Sequence, residues 1–365
     1  MKLSIITINY NNAEGLRKTL ASVASQTYAE IEHIIVDGGS TDGSVDVIRE
    51  YESFLASHLS PLASRLKWLS EKDSGIYNAM NKGLEIVLGR RIVNEDHTSC
   101  LIASSPHPLI ASDYIQILNS GDMLAAPDVT ERMMAALAQQ NEKIHNQQSE
   151  QLGNQQLKQL DDQQLKQSSD DIVNIVENDI DGIVENKKSD LPAIFYGNMI
   201  KEYPNNGKRV VDKCLGDRNS STASVREIEW TMYDFIKGTI NHNPTYIHRS
   251  LYEKYGLYDD NLKIVSDWKW FVNVIVFGGE KVFYTPIDVT IFDMTGISET
   301  NLIERENERT GQLKKMLPAT ILKDYNEYLF PIFQYNHLQR YHLWSIVYFV
   351  ERVLFKLEKW KIIKI

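Results

Sequence analysis

Tyr114-Ile-Gln-Ile-Leu-Asn-Ser-Gly-Asp122 is the stretch that decides the fold of this chain. Its apolar run, rich in isoleucine and leucine, stops at a cluster of turn residues, which indicates a buried strand with polar groups at its carboxyl end. Open α/β sheets bind their ligands at that edge. Gly121 permits a tight turn, and Asp122 offers a hard oxygen ligand that suits Mg²⁺ or Mn²⁺ shared with substrate phosphates. An ordinary turn has the same composition, so a metal site needs support from the rest of the chain.

Three strand-and-helix units precede this stretch. Apolar runs predict strands at 3–8, 31–36 and 66–69, and helical periodicity follows each of them. Strands that alternate with helices predict a mostly parallel sheet. Because the carboxyl ends of parallel strands meet at one edge, we expect Asn9, Asp37 and Asp73 to lie there. A capped turn without any ligand fits the glycine-rich segment after Asp37 equally well.

Length and composition limit the number of domains and the classes of partner that this chain can have. The chain has 365 residues, 42% of them hydrophobic, which suffices for one large domain or two. The net charge is −10, but residues 139–190 hold 11 acidic residues against 5 lysines, so the remainder is close to neutral and does not favour nucleic acid. Cys100 and Cys214 are too far apart in sequence for a metal motif and favour a reducing compartment. Without a leader pattern at Met1, we expect a cytoplasmic protein.

Residues 139–190 form a low-complexity insertion. They are rich in Gln, Asn, Asp, Glu and Lys and contain no aromatic residue, and short motifs within them recur at a spacing of eight. That period matches no repeat fold. The periodicity before the insertion predicts a helix from Pro127 to about Ala138. We expect the insertion itself to project from the domain, disordered or loosely helical, and to be dispensable.

The second half of the chain supplies further polar candidates. Strands are predicted at 193–196, 281–284 and 289–292, with a helix at 249–255. Asp267 stands in the first turn of another helix, where an acid is often present only because it suits the helix dipole. The aromatic side chains of Trp268 and Trp270 follow it and could wall a sugar site, with His242 as a weaker candidate for the same acceptor or sugar region.

Residues 341–365 have a helical pattern with one apolar stripe, several aromatic residues and an excess of basic residues. The longest apolar stretch is far shorter than the ~18 residues that a membrane span needs. This composition is typical of a helix that lies on a membrane surface, so we expect a peripheral contact with the inner face of the membrane. A helix packed on the domain or on a partner would show the same stripe.

Taken together, these segments resemble glycosyltransferase family 2. The matching motifs are Ile5-Ile-Thr-Ile-Asn-Tyr-Asn11, Val36-Asp-Gly-Gly-Ser-Thr-Asp-Gly43, Ser70-Glu-Lys-Asp-Ser-Gly-Ile-Tyr-Asn-Ala-Met-Asn-Lys-Gly83, Leu118-Asn-Ser-Gly-Asp122 and Ser266-Asp-Trp268. Each is weak alone, but their order and spacing make the match specific. The resemblance implies an α/β fold of the GT-A type, a Rossmann-like sheet with flanking helices over residues 1–300, interrupted by 139–190 and followed by a helical region at 301–365.

The resemblance also implies a role for each matching position. The family consists of inverting enzymes that use nucleotide sugars, with a UDP-sugar favoured here as donor and a glycan or lipid-linked saccharide as acceptor. Asp122 would bind Mg²⁺ or Mn²⁺ beside the diphosphate, and Asp267 would be the general base. The nucleotide-sugar site would be lined by Thr7, Asn9, Asp37, Asp73, Asn81, Lys82 and Asn119.

One departure from the family pattern concerns the metal. Many members have two or three aspartates where this chain has Asn119 and Gly121, so Asp122 is the one charged ligand of the motif. A divalent ion held by one carboxylate, water and two phosphate oxygens is chemically reasonable. We therefore expect weak metal binding in the absence of the donor.

Two other readings stay open. A sugar nucleotidyltransferase shares the α/β architecture, but the segment from Thr7 to Gly15 has none of the basic residues expected in its glycine-rich loop. A catalytically inactive family member could act as a scaffold through the 139–190 insertion. The presence of both Asp122 and Asp267 argues against the scaffold.

Overall fold

The structure is a computed structural model. It describes residues 1–101, 112–163, 193–203, 207–212, 224–294 and 300–325, together with 296, 327, 349–350 and 352–353. The chain divides into two compact units, Met1–Leu302 and Ile303–Ile365. All of the candidate site residues belong to the first unit.

The first unit is built on one large sheet. Its strands, in the order β10-β12-β8-β11-β6-β1-β2-β3, are joined by two short strands at the side, β7 on β12 and β9 on β8. Strands β6, β1, β2 and β3 are parallel to one another, whereas β11 runs antiparallel between β6 and β8. The bounds are β1 Leu3–Asn9, β2 Ile31–Asp37, β3 Leu66–Ser70, β4 Arg91–Val93, β5 Ser99–Leu101, β6 Tyr114–Asn119, β7 Met123–Leu124, β8 Ala193–Tyr203, β9 Lys208–Asp212, β10 Arg226–Glu227, β11 Thr245–His248 and β12 Lys281–Asp293.

Helices flank this sheet. They are α1 Ala13–Ala24, α2 Ser44–Ser57, α3 Ile76–Val87, α4 Val129–Gln163, α5 Met232–Lys237, α6 Arg249–Tyr255 and α7 Ser266–Phe271, which continues into a π-helical turn, Val272–Phe277. The helix α8 Leu302–Met316 begins at the end of the first unit, and α9 Ala319–Asp324 belongs to the second. Each of β1 and β2 is buried along its whole length, because helices cover both faces of a parallel sheet. The predicted α/β fold, a Rossmann-like sheet with flanking helices, is confirmed.

The strand register brings the polar strand ends to one edge. Asn9 pairs with Asp37 across β1 and β2, Ile8 pairs with Asn119 across β1 and β6, and Asp37 pairs with Ser70 across β2 and β3. The carboxyl ends of four parallel strands therefore finish side by side. This confirms the prediction that the Asp and Asn residues after these strands share an edge.

Helix α4 is much longer than the sequence pattern predicts. It begins at Val129 and continues to Gln163, which is 25 residues beyond Ala138 and well inside the low-complexity insertion. Gln, Lys, Leu and Glu are all good helix formers, so the polar composition does not end the helix. Asn141 and Ile144 of this extension are buried, and the Asn141 amide contacts the hydroxyl of Tyr114. The first part of the insertion thus packs on the domain, and residues 164–190 lie outside the described residues.

Two other segments differ from their predicted form. The mixed polarity of residues 90–112 predicts a loop. Residues 91–101 instead form a β-hairpin, β4 and β5, which is held by stacking of His97 on Trp68. The two strands predicted at 281–284 and 289–292 are one long strand, β12, with bulges near Asp288. A bulge breaks the alternation of a strand without ending it, which is why the pattern resembles two strands.

The C-terminal membrane helix remains a prediction. Only residues 349–350 and 352–353 of its span, 341–365, lie within the described residues. None of the helices in the described part of the chain is long and apolar enough to cross a membrane.

Candidate active site

Asp37 organises the loop that follows β2. It has no exposed surface, and its two carboxylate oxygens accept five hydrogen bonds, from side chains or backbone amides of Asn9, Gly39, Ser40 and Ser70. A carboxylate has about four lone-pair sites, so none is left for a ligand. In this structure Asp37 holds the loop in place, and its predicted contact with the nucleotide stays a prediction.

The surface above this loop is formed by Tyr10 and Asp73. The ring of Tyr10 is 65% exposed, and Asp73 is half-buried. Both lie against Gly38, where an added Cβ would collide with the Asp73 carboxylate and crowd the Tyr10 ring. Burial raises the pKa of Asp73, and the nearby charge of Asp37 adds to that shift. Sequence analysis missed Tyr10, although an aromatic residue directly after a strand-end Asn is a signal that could have identified it.

Three residues predicted to bind the nucleotide sugar are engaged inside the protein. Thr7 is fully buried, and its hydroxyl lies 2.9 Å from Nε2 of His33. The Asn81 amide exchanges two hydrogen bonds with the backbone of Tyr258. Lys82, 8% exposed, forms an ion pair with Glu71. The polar atoms of all three side chains thus have protein partners, and their contact with a nucleotide sugar stays a prediction.

Asp122 lies in a buried turn after β6. Its Oδ1 accepts a hydrogen bond from the backbone amide of Asp293, and its Oδ2 lies 3.4 Å from the amide nitrogen of Asn243. Burial, together with the nearby Asp293 charge, raises the pKa of Asp122 to about 7, although the hydrogen bond from the Asp293 backbone amide and the charge of His242 oppose the shift. Gly121 has φ +108°, and a Cβ there would lie 2.8 Å from Oδ2 of Asp293. The Asp293 carboxylate is thus a second acid beside the turn, which sequence analysis did not identify.

Asp267 lies between two partners. Its Oδ1 is 2.9 Å from the hydroxyl of Tyr77, and its Oδ2 is 3.2 Å from Nδ1 of His242. Burial acts to raise the pKa of Asp267, but the hydrogen bond and charge of His242 and the Tyr77 hydroxyl together lower it. The side chain is 14% exposed, so an incoming hydroxyl group can reach it. An ionised, oriented and accessible carboxylate is what a general base requires.

A short segment before β11 contacts both Asp267, the predicted base, and Asp122, the predicted metal ligand. His242 contacts Asp267, and the next residue, Asn243, contacts Asp122. Burial acts to lower the pKa of His242, but the hydrogen bond and charge of Asp267 and the charge of Asp122 raise it above its ordinary value. Its Nε2 is buried without a hydrogen-bond partner among the described residues. His242 therefore belongs to the site more firmly than the sequence pattern indicates.

The two tryptophans beside Asp267 do not line the site. Trp268 is 1% exposed and donates its ring N–H to the carbonyl of Phe235. Trp270 is 4% exposed and donates to the carbonyl of Gly256. Helix α7 turns both rings into the core, so a contact of either ring with a sugar stays a prediction that this arrangement does not support.

The residues around Asp122 fit a metal ion that is shared with a ligand. Within the described ranges, no group of three or more His, Cys, Asp or Glu residues is arranged to hold a metal ion. Asp122 is nevertheless a buried carboxylate with a raised pKa, and a bound cation would lower that pKa again. Within the same described ranges, Oδ1 of the nearby Asn119 is buried without a hydrogen-bond partner. Two hard oxygen donors suit Mg²⁺ or Mn²⁺ when phosphate oxygens complete the coordination.

Comparisons with known proteins agree with the motifs. Residues 4–97 match the family model described as Glycosyl transferase family 2. An uncharacterized glycosyltransferase of Mycobacterium tuberculosis is 32% identical over 137 residues, which cover 37% of this chain and 40% of the relative. A PGL/p-HBAD biosynthesis glycosyltransferase of Mycobacterium bovis is 38% identical over 87 residues, which cover 24% of this chain and 31% of the relative. Each match thus spans less than half of the relative's own length.

Among solved structures, the chain is similar to the mannosyltransferase PcManGT from Pyrobaculum calidifontis in complex with GDP-Man and Mn²⁺. The TM-score is 0.45 and the identity 13%, over 83% of this chain and 60% of that one. The N-terminal part of this chain, residues 4–97, is thus similar to glycosyltransferase family 2.

Proposed function

We propose that this chain transfers a sugar from a nucleotide-diphosphate sugar to a hydroxyl group of a glycan or lipid-linked saccharide, with inversion at the anomeric carbon. The observation that carries the proposal is the pair of contacts made by His242 and Asn243, which bring Asp267 and Asp122 into one site. Asp267 is suited to accept the proton of the acceptor hydroxyl, and Asp122 is suited to a metal ion that the leaving diphosphate shares.

The nucleotide would bind at the edge beyond β1 and β2. The exposed Tyr10 ring offers a surface on which a base can stack, and Asp73 can accept hydrogen bonds from the base or the ribose. Asp37 and Asn9 support this surface from below through their mutual hydrogen bond. A UDP-sugar is the favoured donor, which follows from the family resemblance.

Asp122 and Asn119 would hold Mg²⁺ or Mn²⁺ together with the diphosphate. When bound, the metal ion neutralises the charge that builds up on the leaving diphosphate. Asp122 supplies the negative charge that keeps the ion at this position, and the backbone amide of Asp293 fixes one of its oxygens. The Asp122 turn also lies close to the Asp293 side chain, because Gly121 has no Cβ that would separate them.

Asp267 would act as the general base. In a single displacement, the acceptor hydroxyl loses its proton to Asp267, the acceptor oxygen bonds to the anomeric carbon, and the bond from that carbon to the diphosphate breaks on the opposite face. Tyr77 and His242 orient the carboxylate for this step. One displacement of this kind inverts the configuration of the sugar.

A screen of donors tests the proposal. The purified chain would be incubated with UDP-, GDP- and dTDP-sugars and with Mg²⁺ or Mn²⁺, and release of nucleoside diphosphate would be measured. We expect slow hydrolysis of at least one donor, with NMR showing an inverted anomeric centre in the first product. The Asp122→Asn variant is the control for contaminating activity. If no donor is consumed and no nucleotide binds, the chain is not an active transferase.

We also propose a peripheral contact with the membrane through residues 341–365. Within that span, the side chains of Phe349 and Val350 are 67% and 47% exposed. Exposed apolar side chains beside basic residues bind anionic membranes by burial and by charge. The intact chain should therefore bind anionic vesicles at low ionic strength and be released by salt, whereas a chain ending at Gln339 should not bind. Equal binding by both chains would contradict this proposal.

A further inference from the structure

The hydroxyl of Tyr77 faces two oxygen atoms at once. It lies 2.6 Å from the carbonyl oxygen of Ile264 and 2.9 Å from Oδ1 of Asp267. Tyr77 itself is 4% exposed, so the contact is made inside the protein. A phenol has one hydrogen to donate, whereas its oxygen can also accept. Because a carbonyl oxygen can only accept, the phenol cannot donate fully to Ile264 and to an ionised Asp267 together.

Both contacts are satisfied together when Asp267 carries a proton. The carboxylic acid then donates to the Tyr77 oxygen, and Tyr77 donates to the Ile264 carbonyl. When Asp267 is ionised, the phenolic hydrogen turns towards the carboxylate, and a hydrogen bond to a charged group is the stronger kind. The same heavy-atom positions thus accommodate both protonation states of Asp267, and only a hydroxyl rotation separates them.

We propose that Tyr77 is a positioning residue that stabilises Asp267 both before and after it takes the acceptor proton. In the resting site the phenol donates to the carboxylate. After transfer, the proton lies on Asp267, the phenol accepts a hydrogen bond from it and donates to Ile264, and the proton later leaves to water. This inference rests on the proposed role of Asp267 as the general base.

The position of Tyr77 in the fold also connects Asp267, the proposed base, to the loop that contains Asp73. Helix α3 begins directly after the loop that contains Asp73, and Tyr77 lies in its first turn. The same helix makes further contacts with the segment ahead of Asp267, where the Asn78 amide lies 3.2 Å from the Asp260 carboxylate and Asn81 bonds to the Tyr258 backbone. A shift of the loop that contains Asp73 would therefore move Tyr77 relative to Asp267.

The charged and titratable groups that face Asp267 come from several elements. His242 approaches from the segment before β11, Tyr77 from α3, Tyr252 from α6 and Tyr258 from the loop after it. His242 and Tyr77 are the two whose side chains hydrogen-bond to the carboxylate. Burial has the largest effect on the pKa of Asp267 and acts to raise it, whereas His242 lowers it. The hydroxyl of Tyr77 also lowers this pKa, by a smaller amount than His242 does.

The test compares Tyr77→Phe with Tyr252→Phe. Tyr252 is a matched control because it is buried in the same aromatic cluster, but its hydroxyl bonds to Tyr258. With a donor found active in the screen, Tyr77→Phe should lower kcat about tenfold and move the acidic limb of the pH profile to higher pH, because a hydrogen bond to the ionised base is lost. The affinity for UDP should stay within about twofold of wild type, and Tyr252→Phe should leave the acidic limb unchanged.

A second variant keeps the test decisive if Tyr77→Phe folds poorly. Tyr77→3-fluorotyrosine keeps the ring and makes the hydroxyl a stronger donor, so the acidic limb should move to lower pH. An unchanged limb in both Tyr77 variants, with kcat equal to that of Tyr252→Phe, would overturn the role of Tyr77. Loss of transfer in Asp267→Asn would still support the base in that case, whereas full transfer by Asp267→Asn would overturn the proposed base itself.

Discussion

The imidazole Nδ1 of His242 lies 3.2 Å from Oδ2 of Asp267, 25 residues further along the chain. Each partner favours the ionised form of the other, since the pKa of Asp267 is lowered and that of His242 is raised despite their burial. The pair therefore keeps Asp267 as a carboxylate near neutral pH. Mutation of His242 should therefore change the pKa of Asp267, whereas mutation of Asp267 removes the proposed base itself. The two kinds of mutation separate the role of His242 from that of Asp267.

The first prediction concerns replacement of Asp267, the proposed base. Asp267→Asn keeps the shape but cannot take a proton, so the transfer rate should fall by ~10²–10⁴ while UDP binding is retained. His242→Gln should move the acidic limb of the pH profile to higher pH, because the pKa of Asp267 is then no longer held down by the imidazole. The measurement is steady-state transfer across pH 5–9. Asp260→Asn, at an exposed acid that contacts Asn78 of α3, is the control, and a loss below about tenfold for Asp267→Asn would argue against the base.

The second prediction concerns Asp122. Asp122→Asn keeps the hydrogen bond from the backbone amide of Asp293 within reach but removes the negative charge. Mn²⁺ should tighten UDP binding to the wild type and have little effect on the variant, and metal-dependent donor hydrolysis should fall at least ~10²-fold, because several kcal/mol of charge stabilisation is lost. Calorimetric titration of UDP with and without Mn²⁺ measures the first effect. Asp128→Asn, on the surface ahead of α4, serves as the control, and equal tightening by Mn²⁺ in Asp122→Asn would show that the metal binds elsewhere.

The sheet and the edge of the site were predictable from sequence because their signals are local. Apolar runs that end at Asn9, Asp37 and Asn119 specify strands, and the parallel order then places the strand ends together. The length of α4 was not predictable, because a polar helix and a disordered polar segment have nearly the same composition.

The side-chain partners within the site were not predictable. Whether Lys82 faces a ligand or Glu71 depends on a contact across two elements, and the same holds for His242 and Asp267. The burial of Trp268 follows from the face that α7 turns towards the core. Residue type at a motif position indicates a chemistry, whereas tertiary packing decides which side chain is free to perform it.

The third prediction corrects the expectation that the whole insertion is dispensable. Replacing 148–190 by a short Gly/Ser linker should leave the free energy of unfolding nearly unchanged, since long surface insertions cost little. Replacing 139–190 also removes the buried Ile144 and the Asn141 contact with Tyr114, so stability should fall by about 2–4 kcal/mol. Urea unfolding of both deletions measures this, with Ile144→Ala as the single-residue comparison. If the two deletions unfold at the same urea concentration, residues 139–147 of α4 contribute nothing to the free energy of unfolding.

The last prediction concerns acid stability and the buried His33. This side chain has no exposed surface, its ring nitrogens lie 2.9 Å from the Thr7 hydroxyl and 3.0 Å from the Tyr51 hydroxyl, and burial lowers its pKa to about 3. In the unfolded chain the pKa returns to about 6.5, so between these values only the unfolded state binds the proton. Stability is therefore greatest above pH 6.5 and should fall by about 2 kcal/mol between pH 7 and pH 5 from this group alone.

The matched variant for this effect is His33→Gln, which cannot titrate. It should be less stable than the wild type at pH 7, because the hydrogen bonds to Thr7 and Tyr51 are disturbed, but it should lose less stability on acidification. Urea midpoints at pH 7, 6 and 5 give both slopes, and the difference between the two proteins isolates His33 from the carboxyl groups that titrate in both. Parallel slopes would mean that the folded protein already accepts a proton at His33, contrary to the burial of its ring between Thr7 of β1 and Tyr51 of α2.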